Sequence, residues 1–372
     1  MLVVGHTYVV GLNQGKLAAI ARSGKVEVGL LAPERWPATE WGTTQRLETP
    51  FSEIRTFPCK VRFAGRVGAH FYPARTLRET LTRFRPHLVH IEQEAFSVSA
   101  FQVARAARKG GIPVSLFCWE NVDKPMFRLR RLMRQRVLDW TCLVVAGSKG
   151  AASLVRRWGY DGPVKVIPQL GVDTRRFAVV GPRPKEEGFA IGYLGRLVRE
   201  KGVDLLLQAA HLLARKGLTF KLTICGVGDQ EGRLRDLAAG LGLDHDLDWL
   251  GAVPHIRVPE ILAKLSVLVL PSRSTPTWQE QFGHVLVEAM SMGVPALGSS
   301  CGAIPEVVGR PDLVFPEGDF HRLAELLQRV MTDGDWRSEI RRHGLERVRA
   351  EYTDEAIGDK LRLAWQDVLD VE

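Results

Sequence analysis

The sequence has few cysteines, no CxxC pair and no long apolar run. Its 5 cysteines are scattered over 372 residues, which predicts neither a disulfide framework nor a zinc site and is typical of the reducing cytoplasm. No apolar run approaches the roughly 20 residues that a membrane-spanning helix needs. The apolar first residues follow no basic stretch, so they predict a core strand and not a signal peptide.

The composition excludes several other classes of protein. Hydrophobic residues make up 45% of the chain and charged residues 25%, with 36 glycines and 20 prolines. These proportions exclude a disordered chain, a collagen-like repeat and a coiled coil. The length suggests two domains, each large enough to bury its own core.

The net charge of +9 is unevenly distributed. The first 180 residues contain 28 Lys and Arg against 13 Asp and Glu, whereas the remainder contains 23 against 29. This asymmetry predicts an anionic partner contacted mainly by the first domain: a membrane surface, a lipid phosphate or acidic glycan, or nucleic acid. The alternative is that the excess charge only aids solubility. No aromatic-rich RNA-binding patch or helix-turn-helix pattern is present, so we do not expect nucleic acid as a partner.

Short apolar runs alternate with amphipathic stretches, and the alternation occurs twice. The spacing predicts helices over 204–216, 231–241 and 320–332. It indicates an α/β fold of two doubly wound parallel sheets. The apolar runs that predict strands are 2–5, 26–32, 53–61, 88–91, 114–118, 142–146, 164–167, 190–194, 222–225, 247–250, 267–270, 295–298 and 313–315.

A polar segment rich in proline and glycine separates the two halves. Residues 179–188 are therefore the predicted linker, between an N-terminal domain over 1–178 and a C-terminal domain over 189–351. A final helix is expected within 352–372. Ligands of open α/β sheets bind beyond the carboxyl ends of the strands, so we expect the site in a cleft between the two domains.

Two glutamates eight positions apart mark the most informative segment. A helix is predicted over about 282–292, with Glu280 before it and Glu288 within it. The N–H groups of Phe282 and Gly283 would present the positive end of that helix to a diphosphate. A carboxylate can also accept two hydrogen bonds from vicinal hydroxyls of a ribose or sugar ring.

A purely structural interpretation of this segment stays open. Residues 277–280 also read as a capping box that only begins the helix. That alternative places Gly283 inside the helix, at a cost of about 1 kcal/mol.

A second segment places two cations just after a predicted strand. The strand ends at Gly195, and Arg196 and Lys201 follow before a helix from about residue 203. Arginine can bind a diphosphate leaving group in a fork, and lysine can act as a point charge. The alternative is a solvated basic turn without a ligand.

Three motifs together resemble a known family. They read GRLVREKG from residue 195, EQFGHVLVE from residue 280 and EAMSMGVPALGSSCGAIPEVV from residue 288. Their order and spacing are similar to those of the family 4 retaining glycosyltransferases. The resemblance implies the GT-B fold, with two Rossmann-like domains facing a central cleft. It also implies that the final helix, within 352–372, crosses back to the N-terminal domain. The front half, with HTYVVGLNQGKLAAIA and IPQLGVD, resembles members that build bacterial polysaccharide.

The resemblance also implies roles for individual residues. Arg196 and Lys201 would hold the donor diphosphate, Glu288 the ribose and Glu280 the transferred sugar. Further donor contacts would come from Gly195, Gly226, Phe282, Gly283 and Val285, and from the backbone at Val253 and Pro254 for the base.

One position departs from the pattern of the family. Many relatives have a histidine after the strand that corresponds to 114–118, close to the reacting sugar, whereas this chain has Glu120 and Asn121 nearby. Either residue could take that place. His90 and Glu92, at the end of the neighbouring strand, are rivals, and a role in packing is the alternative for His90.

The basic first domain supplies candidates for the acceptor side. Lys60, Arg62 and Arg66 lie in a glycine-containing loop, and Arg128 and Arg131 lie on a basic amphipathic helix. Such a helix suits an anionic membrane surface. The equal alternative is a surface helix whose apolar side packs on the sheet.

From this resemblance we expect the chain to be a retaining glycosyltransferase. It would move a sugar from a UDP- or GDP-linked donor to a glycan or lipid-linked acceptor, with no metal and no cofactor beyond that co-substrate. We expect it in the cytoplasm, with the inner face of the plasma membrane as a site of peripheral attachment. The alternative function is a nucleotide-sugar epimerase of the same fold.

Overall fold

The computed structural model describes residues 1–38, 43–179 and 188–370. Within it the chain forms two compact units. The first comprises Met1–Gly171 with Thr353–Glu372, and the second comprises Val172–Tyr352. Most of the predicted linker, residues 180–187, lies outside the described residues.

Fifteen strands are found among the described residues. They are β1 (Leu2–Val4), β2 (Val28–Pro33), β3 (Arg35–Ala38), β4 (Thr43–Arg46), β5 (Ile54–Cys59), β6 (Val89–Glu92), β7 (Val114–Cys118), β8 (Thr141–Ala146), β9 (Val164–Val166), β10 (Ala190–Leu194), β11 (Lys221–Cys225), β12 (Leu247–Gly251), β13 (Val267–Leu270), β14 (Ala296–Ser299) and β15 (Val314–Phe315).

The same part of the chain forms thirteen α-helices. They are α1 (Gly15–Arg22), α2 (Ala74–Phe84), α3 (Val98–Lys109), α4 (Arg128–Asp139), α5 (Lys149–Arg157), α6 (Val203–Arg215), α7 (Glu231–Gly240), α8 (Val258–Leu262), α9 (His284–Ser291), α10 (Ile304–Val308), α11 (Phe320–Thr332), α12 (Gly334–Glu351) and α13 (Asp354–Leu369).

Each unit is built on a parallel sheet. The strand order is β5-β2-β1-β6-β7-β8-β9 in the first unit and β12-β11-β10-β13-β14-β15 in the second. In both sheets the chain starts in the middle, moves to one edge and then crosses to the other side. The crossover creates a topological switch point between β1 and β6, and another between β10 and β13. Ligands of doubly wound sheets bind at such points, beyond the carboxyl ends of the strands.

The central strands are buried on both faces. All residues of β7 and of β13 are buried, as expected for parallel strands covered by helices on both sides. The helix α13 belongs to the first unit and packs on α1. Its Trp365 is completely buried and contacts the ring of His90 at a centroid distance of 5.2 Å.

The predicted α/β class with two parallel sheets is confirmed. All the predicted strands are present, and β7, β10 and β13 have the predicted bounds. The antiparallel hairpin β3–β4 was not predicted, because its short strands carry Arg35, Pro37 and Gln45 and contain no apolar run.

Candidate functional site

The loops at the switch point of the second sheet bring Lys201 and Glu280 together. The Lys201 ammonium lies 2.5 Å from Oε2 of Glu280, and both side chains are largely buried. Gly202 makes this approach possible. Its φ is +67°, and a Cβ there would lie 2.1 Å from the carbonyl oxygen of Pro271. The loop after β10 therefore packs directly against the end of β13.

The Glu280 carboxylate is held from several sides. Its Oε2 accepts hydrogen bonds from Lys201 at 2.5 Å and from the Ser272 hydroxyl at 2.9 Å. Its backbone carbonyl accepts from the N–H of Ala303 at 2.9 Å. Loops that follow β10, β13 and β14 thus position one carboxylate. The ring of Trp278 lies 5.1 Å from the same ammonium.

The other predicted residues after β10 and β11 lie beside this pair. Gly226 packs so closely that a Cβ on it would lie 1.8 Å from the carbonyl oxygen of Gly195. Arg196 comes next, with an exposed side chain, and its carbonyl accepts a hydrogen bond from the Tyr193 hydroxyl at 2.7 Å. Burial raises the pKa of Tyr193, and the nearby Glu280 charge raises it further, whereas the Arg196 charge opposes both.

The helix after Glu280 begins later than predicted. Gly283 adopts φ +82°, which an α-helix does not accommodate, so it caps α9, and the first helical residue is His284. Phe282 and Gly283 therefore precede the helix and do not form its first turn. The capping-box alternative is not observed either, since no side chain caps α9 and Glu280 instead binds Lys201. Val285 lies half-buried in the first turn.

Glu288, on α9, forms a second charged cluster. Its Oε1 lies 2.7 Å from Nε2 of His255 and 3.2 Å from Nδ1 of His284. Burial raises the pKa of Glu288, but hydrogen bonds from the two imidazoles outweigh that effect and hold it at about 2. A buried carboxylate that stays ionised can accept strong hydrogen bonds from ligand hydroxyls.

His255 was missed by the sequence analysis. It follows Val253 and Pro254, the expected base-contacting residues, in the loop after β12. His284 and Glu288 are four residues apart, which places both on one face of a helix. This spacing could have indicated the contact between them. His255 lies 33 residues away from Glu288, so no spacing rule connects them.

At the switch point of the first sheet, Glu94 organises the region of Glu120. One oxygen of Glu94 accepts hydrogen bonds from the N–H groups of Trp119 and Glu120, each at 2.8 Å. Its other oxygen is buried, with no hydrogen-bond partner among the described residues. Burial raises the pKa of Glu94 to about 7. Glu120 itself accepts from the ammonium of Lys124 at 2.7 Å.

His90 is completely buried in β6. Its Nδ1 lies 3.0 Å from the hydroxyl of Ser115, and its Nε2 lies 3.4 Å from Glu92. Burial lowers the pKa of His90. Together with the Trp365 contact, these surroundings favour the packing role of His90 over a catalytic one.

A buried ion pair in the same sheet was also missed. The Lys16 ammonium lies 2.6 Å from Glu92, and both side chains are almost fully buried. The Tyr8 hydroxyl donates to the same oxygen, and Gln169 donates to the other. Lys16 and Glu92 are 76 residues apart, so their pairing follows only from the neighbouring positions of α1 and β6.

The basic candidates of the first unit lie on its surface. Lys60, Arg62, Arg66, Arg128 and Arg131 all have exposed side chains.

The apolar residues of α4 and of the nearby loop are exposed too. The exposed fraction is 85% for Phe127, 68% for Leu129, 64% for Leu132 and 58% for Phe63. The alternative in which the apolar side of α4 packs on the sheet is therefore wrong for Leu129 and Leu132. Among the described residues no helix is long and apolar enough to cross a membrane, and no group of three or more His, Cys, Asp or Glu is arranged to hold a metal ion.

Two family models match consecutive parts of the chain. The one described as "Glycosyl transferase 4-like domain" matches residues 14–170, and "Glycosyl transferases group 1" matches residues 175–347. Together they span nearly the whole chain between residues 14 and 347.

Among curated proteins, the 2-deoxystreptamine glucosyltransferase of Streptomyces kanamyceticus is 28% identical over 278 residues, which are 66% of this chain and 67% of that protein. The capsular polysaccharide biosynthesis glycosyltransferase CapM of Staphylococcus aureus is 29% identical over 186 residues, 49% of this chain and 47% of CapM. The chain thus aligns with about half to two thirds of the length of these relatives.

Among solved structures, Anabaena Alr3699/HepE in complex with UDP superposes with a TM-score of 0.73 at 15% identity, over 98% of this chain and 99% of that chain. The same protein in complex with UDP-glucose superposes with a TM-score of 0.70. At this identity the likeness concerns the fold alone.

Proposed function

Because this chain belongs to the group 1 glycosyltransferases and has their GT-B fold, we propose that it transfers a sugar from a nucleotide-diphosphate donor to a hydroxyl of a glycan or lipid-linked acceptor. The observation that carries the proposal is the pairing of Lys201 with Glu280 at the switch point of the second sheet. Relatives named for capsular polysaccharide biosynthesis and for glucosyl transfer to 2-deoxystreptamine support the reaction class, and the UDP complex of HepE supports a nucleotide-sugar donor.

The donor diphosphate is assigned to Arg196 and Lys201. Both cations follow β10, at the carboxyl end of its strand, where ligands of doubly wound sheets bind. Negative charge accumulates on the diphosphate as its bond to the sugar breaks, and a fixed ammonium and guanidinium stabilise that charge. In this proposal the reaction needs neither a metal ion nor a further cofactor.

Glu280 is assigned to the transferred sugar. Its carboxylate is held by Lys201 and Ser272, so its orientation is set before a ligand arrives, and it can accept hydrogen bonds from sugar hydroxyls. When the diphosphate binds, the Lys201 ammonium is shared between a phosphate oxygen and Glu280. The backbone at Phe282 and Gly283 completes the pocket.

Glu288 is assigned to the ribose of the nucleotide. Its pKa of about 2 keeps the carboxylate charged at every physiological pH, so it acts as a hydrogen-bond acceptor only. His255 orients it from the loop that carries Val253 and Pro254.

The transfer is proposed to retain the anomeric configuration. The acceptor oxygen forms its bond to the anomeric carbon on the face from which the diphosphate departs. The bond between that carbon and the phosphate oxygen breaks with its electron pair staying on the diphosphate. The departing oxygen then takes the proton of the acceptor hydroxyl, so the step needs no separate protein base. This displacement is the mechanism that the family resemblance implies.

The first unit is proposed to contact an anionic membrane. Exposed apolar side chains are interspersed with the exposed arginines of α4 and of the loop before α2. We call this surface the α4 patch, and its apolar members are Phe63, Phe127, Leu129 and Leu132. Apolar side chains that enter the interface and cations that meet anionic lipid together give such binding. The cytoplasmic face of the membrane remains the predicted location.

The test begins with the purified chain and a thermal-shift screen against UDP, GDP, ADP and their sugars. A nucleotide that binds the folded state raises the melting temperature, so the screen identifies the donor class. The selected nucleotide sugar is then incubated with and without acceptor glycans. Sugar transfer that depends on the acceptor supports the proposal. Interconversion of the donor sugar without acceptor assigns an epimerase, and the absence of any stabilising nucleotide refutes the donor site.

A further inference from the structure

A groove of about 960 Å³ runs between α2 and α3 of the first unit, and none of the residues assigned above lines it. This volume is within the range of sites that bind small molecules. Half-buried apolar side chains form its floor, among them Phe71, Leu81, Phe101 and Ile112. The structure therefore offers an accessible apolar channel on the unit that carries most of the positive charge.

Four cations border the groove. Arg78 and Arg85 come from α2 and the residue after it, and Arg105 and Lys109 come from α3. All four are exposed, and no acidic residue is among those that line the groove. Within the described parts of the chain none of the four forms an ion pair, a hydrogen bond through its side chain or a ring contact.

The neighbouring arginines on the same helices behave differently. Arg75 on α2 pairs with Glu79 at 2.7 Å, and Arg108 on α3 lies 5.4 Å from the ring of Trp140. Cations at the ends of helices, such as Arg85 and Lys109, also balance the negative end of the helix dipole. That role does not apply to Arg78 and Arg105, which lie within their helices.

The groove is continuous with the α4 patch. The ring of Phe71, on the groove floor, lies 5.9 Å from the ring of the exposed Phe63. The Val98 N–H, at the first residue of α3, donates to the carbonyl of Gly68 in the same loop. An apolar path thus leads from the exposed patch into a channel bordered by uncompensated cations.

We propose that this groove binds one anionic phospholipid of the membrane, with an acyl chain on the apolar floor and the phosphate between Arg78 and Arg105. The apolar floor matches the acyl chain of such a lipid, and the basic border matches its phosphate. A neutral ligand would leave the cations without a partner. The proposal depends on the membrane contact proposed above in one respect only, which is that the membrane supplies the lipid. The groove itself is formed entirely by the first unit.

The experiment uses short-chain lipids below their micelle concentration, so that binding does not depend on docking to a bilayer. Isothermal titration calorimetry compares dihexanoyl phosphatidylglycerol, dihexanoyl phosphatidylcholine and glycerol phosphate. We expect the first to bind most tightly. In Arg78→Ala/Arg105→Ala its affinity should fall roughly thirtyfold, because each cation near a lipid phosphate contributes about a factor of five.

Two further variants sharpen the test. Arg75→Ala/Arg108→Ala removes the same charge from the same helices outside the groove and should leave binding unchanged. Ala106→Trp fills the floor without removing charge and should abolish binding of the lipid.

Several outcomes overturn the proposal. Equal losses in the two double variants indicate general charge attraction, and equal affinity for glycerol phosphate indicates a simple anion site. A dimer that Ala106→Trp dissociates in sedimentation velocity assigns the groove to a second copy of the chain. Flotation with large anionic vesicles reports membrane docking separately, so failure of docking and failure of the groove are distinguishable.

Discussion

The Lys201 ammonium and the Glu280 carboxylate lie 2.5 Å apart although 79 residues separate them in the chain. The two loops that carry them leave neighbouring parallel strands at the point where the strand order reverses. Their side chains meet because both loops emerge at the same edge of the sheet. The pair joins the cation assigned to the leaving diphosphate to the carboxylate assigned to the sugar.

Replacing Lys201 with Ala should lower kcat for transfer about a hundredfold, because a fixed charge that stabilises the leaving group contributes about 3 kcal/mol in the transition state. The measurement is acceptor-dependent release of the nucleoside diphosphate. Lys216→Ala, an exposed lysine of the same unit, is the matched control. Loss of only ground-state donor affinity, with kcat unchanged, would contradict the assigned role.

Glu288→Gln should weaken binding of the nucleotide selected by the thermal-shift screen about tenfold to a hundredfold, because hydrogen bonds to a charged acceptor are worth about 1.5–3 kcal/mol. The Glu288 pKa of about 2 means that the parent carboxylate accepts these hydrogen bonds in its ionised form. Titration calorimetry measures the loss of affinity, and Glu231→Gln on the surface of α7 is the control. An unchanged affinity refutes the ribose contact.

Gly202→Ala should disturb the site through the backbone. An alanine Cβ would meet the carbonyl of Pro271 at 2.1 Å, in addition to the strain of φ +67°. Gly217→Ala is the matched control, because Gly217 has φ +73° with no atom within 4 Å of the added Cβ. We expect Gly202→Ala to lower the free energy of unfolding by about 1–3 kcal/mol more than the control. Equal destabilisation in urea denaturation would show that the loops do not depend on this contact.

Glu94→Gln should change how stability depends on pH. Burial raises the pKa of Glu94 from 4.5 to about 7, so between these values the folded state binds more protons than the unfolded state. Stability should therefore fall as the pH rises through this window, by up to about 3 kcal/mol. The glutamine variant should lose that dependence and be more stable than the parent chain at pH 8. Chemical denaturation at pH 5 and pH 8 measures the free energy of unfolding, and Glu79→Gln, at an exposed glutamate, is the control. If Glu94→Gln kept the pH dependence of the parent chain, that result would contradict the shifted pKa of Glu94.

The α4 patch should govern membrane docking. Replacing Phe127, Leu129 and Leu132 with Ser removes three exposed apolar side chains that the fold does not use, so the melting temperature should not change. Partitioning onto vesicles with anionic phospholipid should fall at least about tenfold. Leu363→Ser on α13, where the leucine is 51% exposed, is the matched control. Equal partitioning of the parent chain, the triple serine variant and Leu363→Ser would refute the α4 patch as a docking surface.

Much of the fold could be predicted because its signals are local. The runs that became β7 and β13 are apolar throughout, since parallel strands covered on both faces have no polar side. The predicted start of α9 is two residues too early, because the sequence shows that a glycine is present at 283 but not which φ it adopts. The hairpin β3–β4 gave no apolar signal, since it lies outside both main sheets.

The sequence by itself determined the alternation of strands and helices, the two-domain organisation and the residue types around Lys201, Glu280 and Glu288. Each of these depends on residues that are close together along the chain. Only the tertiary structure decided that Lys201 meets Glu280, that His255 reaches Glu288 and that His90 is packed beneath Trp365. The reason is that such contacts join residues from different strands and loops. Their proximity is set by the order of strands in each sheet, which the spacing of residues along one chain does not encode.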